Sequence, residues 1–477
     1  MVAVATLDRL SPAEVGLVDQ LLAQLVWVQQ ANSEAERYYD ASLRWENLGI
    51  AVPAEMEPWL DSTLGWCGIA VDTLEERLDW TGWVTDRDDD FGLMDAFNSN
   101  QLALESSLLN LDCLIYGTAF WSVTTGSDGE PDPLVMAESP KNTTYVWSRR
   151  ARRATAAIVV GERDATSLPS SVSLHLPGQT VVLRSSVMVE PERWVVEDRI
   201  TYPHDRVPIV PVVNRPWGTR RQGRSEITRA MRYLQKNAVR TLAGWEIARE
   251  FFAAPQRWAM GASEKSFVDA DGKPLTAWQA YTGRVWSMER DENGDVPSVG
   301  QFPSSDPSPY FAGLRGLGSM FAAEAGLAVS YLGLPTDQPA SADAIRAGDA
   351  RLLKRSERRQ VQIGAANHQV GEQVYMLTHN TDAPPPEFAA VDESWRDPAT
   401  PTRAASSDAA TKLVAAGILP AESEVTMDLV GLSKSDQRRV QADRRRYGGG
   451  QILEALLKAP TTAADQSTAD GLMSTTR

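Results

Sequence analysis

The sequence predicts an α+β protein of several domains, elongated because its helices are longer than a compact domain needs. Three stretches carry that expectation. Ile227, Met231, Leu234, Ala238, Leu242, Trp245, Ala248 and Phe252 recur at threes and fours, the spacing of one apolar helix face. From Ser308 to Leu377 the pattern is helix, short break, long helix. Between Ala119 and Pro211 it changes to short apolar runs separated by Gly, Pro and Ser, which is the pattern of strands.

Taken in order, Ser11 to Asp40 is helical, with Val15, Val18, Leu22, Leu25, Val26 and Val28 as its apolar stripe. Pro53 and Pro58 mark a loop. Leu64 to Trp80 is expected as a second helix and Met94 to Tyr116 as a third, ended by Gly117. Asp86 to Asp90 between them reads as a solvated acidic loop. Strands are expected at Ala119–Thr124, Tyr145–Trp147, Ala156–Val160, Val172–Leu176 and Thr180–Leu183. Pro203, Pro208, Pro211 and Pro216 make a stiff extended connector.

Ser225 is expected to cap the helix that runs to Pro255, with Arg229, Arg232, Lys236, Arg240 and Arg249 on its solvated face. Residues 256–307 return to strands and turns. There Asn293-Gly294 lies between two apolar runs, a strong hairpin signal. The same loop opens like a calcium site, but Val296 stands where Gly is needed and Phe302 where Glu is needed, so calcium is rejected.

Ser308 is expected to cap the next helix, whose apolar face carries Leu314, Leu317, Phe321, Ala325 and Ala328. Gly333, Pro335 and Pro339 interrupt it, and Ser341 opens a helix through Ile345, Leu352, Ile363, Val370 and Val374. Its roughly 36 residues span about 54 Å. Such a helix suits an elongated subunit, or one that builds a wall with its copies. Asp382 to Thr402 reads as a linker. Ser407–Gly417 and Ser433–Leu457 are helical, and Ala459–Arg477 is a mobile tail.

The 477 residues carry a net charge of −16, and 43% are hydrophobic, enough for a real core. A protein that grips DNA by its phosphates needs the opposite charge balance. Cys67 and Cys113 form no CxxC pair, which argues against disulfide scaffolds and zinc and fits a reducing cytoplasm. No signal peptide is expected at the N-terminus, and no stretch is apolar enough to span a bilayer.

Catalytic motifs are missing. There is no P-loop, and Gly316-Leu317-Gly318 lacks the third Gly and a preceding strand. Asp90-Phe91-Gly92 has no kinase catalytic loop before it. His175, His204, His368 and His379 show no metal spacing. The sequence therefore assigns no catalytic residue, metal or cofactor, and leans toward structural or assembly work.

With these elements placed, the chain resembles the portal proteins of tailed double-stranded DNA bacteriophages, above all those with long non-contractile tails infecting actinobacteria. Arg37-Tyr38-Tyr39, Val71-Asp72-Thr73-Leu74-Glu75-Glu76-Arg77-Leu78 and Asp112-Cys113-Leu114-Ile115-Tyr116-Gly117-Thr118-Ala119-Phe120 carry the early part. Arg206-Val207-Pro208-Ile209-Val210-Pro211-Val212-Val213-Asn214-Arg215-Pro216 and Gly223-Arg224-Ser225-Glu226-Ile227 carry the middle. Ser341-Ala342-Asp343-Ala344-Ile345 opens the long helix. The ordered set is more specific than any one string.

The resemblance implies a homo-oligomeric ring, dodecameric in the particle, at one capsid vertex of the virion, assembled in the host cytoplasm. It implies a wing over 1–222, stem helices over 223–254 and 309–330, and a small α/β clip over 255–308. A tunnel loop at 331–341 would follow, then the long wing helix and linker to 403, a small crown over 404–458 and the tail over 459–477. The implied partners are the terminase large subunit, the head–tail adaptor, the major capsid and scaffolding proteins, and the double-stranded DNA that passes through. The resemblance implies no membrane partner. The terminase would supply the packaging ATPase, which fits the missing P-loop.

Leu334, Thr336, Asp337 and Gln338 are then expected at the DNA channel, and Asn293 and Gly294 at the clip hairpin. Gly313, Gly316, Gly318 and Gly326 are expected to let stem helices approach closely or kink. Lys354, Arg355, Arg358 and Arg359 are expected on a solvated or inter-subunit face rather than on DNA. Two other readings compete: a virion or cell-wall enzyme with a dispersed site, and another capsid or tail structural protein. A deep pocket with convergent acids would mark the first. The stem–clip–stem order disfavours the second.

Overall fold

The computed structural model describes residues 9–43, 61–87, 89–185, 194–252, 257–261, 296–301, 306–334, 342–399, 403–433 and 436–446. The loop of Pro53 and Pro58, the Asn293-Gly294 turn, Thr336, Asp337, Gln338, Ser341 and the tail lie outside these residues. The chain forms two compact units, Met1–Pro398 and Ala399–Arg477.

The first unit opens with α1, Pro12–Tyr39. Ser11 caps it by accepting the Glu14 amide, and Glu14 returns the favour by accepting the Ser11 amide at 2.7 Å. Two amides that the helix itself cannot bond are thereby satisfied. Val18, Leu21 and Leu25 on the inner face pack on a five-stranded antiparallel sheet. Its strands are β4 (Thr143–Ser148), β5 (Arg153–Arg163), β6 (Pro169–Leu176), β7 (Gln179–Ser185) and β8 (Trp194–Thr201), in chain order across the sheet. Val160 faces Val172 and Leu174 faces Val181. The apolar runs read from sequence are the buried rows of this sheet.

The larger core lies around α2 (Trp66–Glu75), α4 (Leu102–Tyr116), a three-stranded sheet and the long helix α7 (Ala342–Thr378). That sheet has β2 (Thr118–Thr124) in the middle, between β3 (Leu134–Glu138) and β9 (Ile209–Val213). Asn367 of α7 is fully buried. Its side-chain oxygen accepts from Trp121 Nε1 of β2 at 2.9 Å, and its carbonyl accepts from Trp83 Nε1 at 3.1 Å.

Several elements differ from the sequence expectation. The second helix stops at Glu75, and Trp80 opens the strand β1, Trp80–Val84. The expected third helix is two, α3 (Leu93–Ser99) and α4. Gln101 between them has a left-handed backbone with φ 51°. Asn100 holds the break, donating to Ala96 O and Pro133 O and accepting from the Val135 amide. The acidic loop is more than solvated: Asp89 accepts the Phe91 amide, and Asp90 those of Gly92 and Met94. The proline-rich connector contains β9 itself, with Pro211 opposite Phe120.

The expected linker after α7 is also structured. A 3-10 turn, Pro386–Ala390, buries Phe388, and β12 (Asp392–Trp395) pairs antiparallel with β1. The second unit contains α8 (Arg403–Ala415), α9 (Glu424–Val430) and a helical run over 436–446. Ser423 caps α9, which the sequence reading had missed.

Candidate functional site

Two helices in the first unit run side by side. α5 spans Arg229–Phe252 and α6 spans Ser308–Ala325. Thr228 Oγ1 donates to Glu324 Oε1 at 3.0 Å at one end of the pair. Trp245 and Phe311 meet near the other, their ring centroids 5.4 Å apart. The helices are therefore antiparallel. β10 (Arg257–Met260) and β11 (Ser298–Gln301) pair antiparallel just beyond them, directly after α5 and shortly before α6. Thr228, not Ser225, starts α5: its hydroxyl accepts the Met231 amide, while Ser225 Oγ accepts that of Ile227. The cationic face is partly engaged, since Arg232 pairs with Glu34 at 2.6 Å.

The glycines of α6 divide by what surrounds them. A Cβ on Gly313 would touch Thr241 of α5 at 3.9 Å, an ordinary contact between the two helices. Gly318 is buried, and a Cβ there would collide with Leu334 Cδ1 and press on Trp66 at 3.3 Å. Gly316 has nothing within 4 Å. Gly326 is not a helix-packing glycine. It ends α6 with φ 69°, and the Leu327 amide turns back to Ala322 O at 2.9 Å. This left-handed stop favours Gly, and it ends the helix before Ala328, three residues short of the expected stripe.

The break that follows is anchored. Val329–Leu332 makes one 3-10 turn with Leu332 buried. Arg77 Nη2 donates to the Tyr331 hydroxyl at 3.0 Å. Leu334 does not project freely: it is half-buried against the main core beside Gly318.

A second constellation was not legible beforehand. Glu226, at the entrance to α5, is buried to 1% side-chain exposure and receives three guanidinium groups. Arg359 donates from Nη2 at 2.6 Å and Nε at 3.0 Å, Arg355 from Nη2 at 2.8 Å, and Arg215 from Nη1 at 3.3 Å. Burial alone would push this carboxyl up, but Arg359, Arg355 and Arg215 outweigh it and hold it below its usual range. Arg355 and Arg359, expected on a solvated or inter-subunit face, thus serve an internal partner. The available signal was their spacing of one helical turn, which puts both on one side of α7.

A cavity of about 420 Å³ opens beside this cluster. α7 lines it with Arg351, Lys354, Arg355, Arg358 and Arg359, and the loop before α5 adds Arg215 and Arg224. Only Glu226 and Glu324 oppose them among its lining residues. Trp217 forms part of the wall, with the Arg224 guanidinium 4.5 Å from its ring centre.

Convergent nucleophile or acid–base machinery is not what these positions hold. Burial pushes both the Cys67 and Cys113 thiols up to about 12, the opposite of an activated cysteine. His175 is buried against Thr180 Oγ1 at 2.8 Å, and burial pulls its imidazole down to about 4. Among the described residues no group of His, Cys, Asp and Glu could hold a metal ion, and no helix is long and apolar enough to cross a membrane.

A family model described as "Phage portal protein, SPP1 Gp6-like" matches residues 64–427. The portal protein of Mycobacterium phage L5 is 29% identical over 443 residues, covering 90% of this chain and 89% of that one. The portal protein of Mycobacterium phage D29 is 30% identical over 439 residues, covering 89% and 88%. Among solved structures, a chain from the virion of a native gene transfer agent particle aligns at a TM-score of 0.41 with 14% identity, covering 80% of this chain and 95% of that chain. A chain from the neck of the native particle, computed with C12 symmetry, aligns at 0.37 with 14% identity and the same coverage. The match over most of the chain settles the family: this protein belongs to the SPP1 Gp6-like phage portal proteins.

Proposed function

We propose that this portal protein forms a closed ring, twelve copies in the particle, through which double-stranded DNA is packaged and ejected. The observation that carries the proposal is the antiparallel pairing of α5 with α6, with the β10–β11 pair attached at one end and the anchored break at the other. In this reading α5 and α6 are the stem, residues 255–308 the clip, and 331–341 the loop that enters the channel. Residues 1–222 and α7 form the wing, and 404–458 the crown. The clip meets the terminase large subunit during packaging and the head–tail adaptor afterwards. Wing and crown meet the major capsid and scaffolding proteins. The family is structural, which removes the enzyme reading.

Leu334 roots the channel loop by packing on Gly318 and the core around Trp66. Thr336, Asp337 and Gln338 follow it and form the tip. A tip with no cation does not capture phosphates by counterion release, and the net charge of −16 per copy repels DNA from the wall. DNA therefore slides instead of binding.

Mass measurement of the purified chain tests the ring. A large ring of many copies of the 52.2 kDa subunit is expected; a stable monomer under all assembly conditions overturns the proposal. In an assembled ring, Thr336–Gln338 on the outer surface overturns the channel-loop assignment.

A further inference from the structure

We propose that the basic cavity beside Glu226 is a socket for acidic side chains of a second copy of this chain; the proposal rests on the ring reading above. Three observations combine. First, the cavity concentrates cations in a chain whose net charge is −16. Second, its own carboxylates do not balance them: Glu226 is already shared by Arg215, Arg355 and Arg359. Third, donors remain open. Arg358 is exposed on the cavity wall with no carboxylate partner among the described residues. The exposed Arg358 guanidinium can therefore donate to an acceptor from outside the chain, and a charge-assisted pair there is stabilising.

The charge balance selects the occupant. Every other copy of the chain presents a surface still more acidic than −16 implies, because this cavity holds part of the positive charge. A carboxylate side chain enters a recess of about 420 Å³, and Arg binds it with a planar fork. A DNA duplex is too wide to enter and would reach only the exposed rim, Lys354 and Arg358. Such rim contacts would hold sliding phosphates, contrary to the conduit reading. Occupation by a neighbour's carboxylate instead removes these cations from the DNA path and ties α7 of one copy to the next.

The test uses full-length protein assembled from equal parts of unlabelled and ¹⁵N-labelled copies. A carbodiimide then joins the Lys354 amine to any carboxylate in contact with it, and mass spectrometry reads the linked peptides. Linked peptides carrying one labelled and one unlabelled half are expected in intact rings. They should vanish in rings dissociated by salt. The Lys354→Met/Arg358→Gln variant should need at least about tenfold more protein to form rings, with an unchanged far-UV spectrum and urea midpoint. Wild-type rings that give only the internal Lys354–Glu357 link overturn the socket and leave the ring standing. So does protection of Lys354 by duplex DNA without links between copies, which assigns the cavity rim to DNA. A wild-type chain that never forms rings overturns the ring reading, and the socket with it.

Discussion

Glu226→Gln is the most informative single change in this molecule. The carboxylate is 1% exposed and accepts from Arg359, Arg355 and Arg215, as well as from Asn214 Nδ2 at 3.2 Å. Glutamine keeps the shape and one carbonyl acceptor but removes the charge. Arg359, itself nearly buried at 7% side-chain exposure, then faces Arg355 and Arg215 without neutralisation. Breaking a buried ion pair by removing one partner costs about 3–5 kcal/mol. Urea unfolding of the monomeric chain, followed by tryptophan fluorescence, measures the loss. The cost should change little between low and high salt, because the group is hidden from counterions. A second substitution, Arg359→Met, made on top of the first should cost less than it does alone, giving a coupling energy of about 1–3 kcal/mol. A loss below about 1 kcal/mol for Glu226→Gln, or additive behaviour of the pair, would refute the claim that Glu226 neutralises this cluster.

Four further outcomes are expected. Gly318→Ala should destabilise the monomer by about 1 kcal/mol, because the new Cβ presses at 3.3 Å on the buried Trp66 ring even after Leu334 swings aside. Gly316→Ala meets nothing within 4 Å and should stabilise the monomer by about 0.5–1 kcal/mol; thermal unfolding compares the two, and ring yield then reveals whether a neighbouring copy uses the open face at Gly316. Arg199 holds the Glu14 carboxyl at about 2, below its ordinary 4.5, so the pair's stability is full above pH 4.5 and fades as pH falls toward 2. With solvent screening limiting the effect to about 1 kcal/mol or less, wild type and Glu14→Gln should converge in urea midpoint over that interval. Gly223→Ala should destabilise strongly, by about 2 kcal/mol or more, since its Cβ would collide with the Gly117 carbonyl; circular dichroism melting of the purified variant checks it.

Local signals were readable and distant ones were not. α1 was evident from the apolar spacing of Val18, Leu22 and Leu25 within one short window, although Val15 and Val26 of the same stripe are exposed. α7 was evident for the same reason, and its 37 residues match the expected length. The split at Asn100 was hidden because the side chain spends its bonds on Pro133 and Val135, and nothing beside it in sequence declares that. Pro384, Pro385 and Pro386 suggested a linker, yet Phe388 and Val391 are buried, and burial depends on partners far away in the chain. The Glu226 cluster has the same cause, since Arg355 and Arg359 lie 129 and 133 residues further on. The glycines of α6 were visible as a group. Their separate roles depend on whether Thr241, Leu334 or open space stands opposite, which spacing does not encode.

The pairing of β1 with β12 fixes when the first unit can finish folding. Thr81 Oγ1 donates to the Ser394 carbonyl across 313 residues of chain, and Trp80 lies opposite Trp395. During synthesis, the edge of β1 stays open until residue 395 has left the ribosome. An unfinished chain therefore exposes an unpaired strand edge beside Trp80 and Trp83, the kind of surface that associates indiscriminately. Chains truncated before Asp392 should be captured by chaperones or precipitate, whereas the complete chain covers this edge with β12.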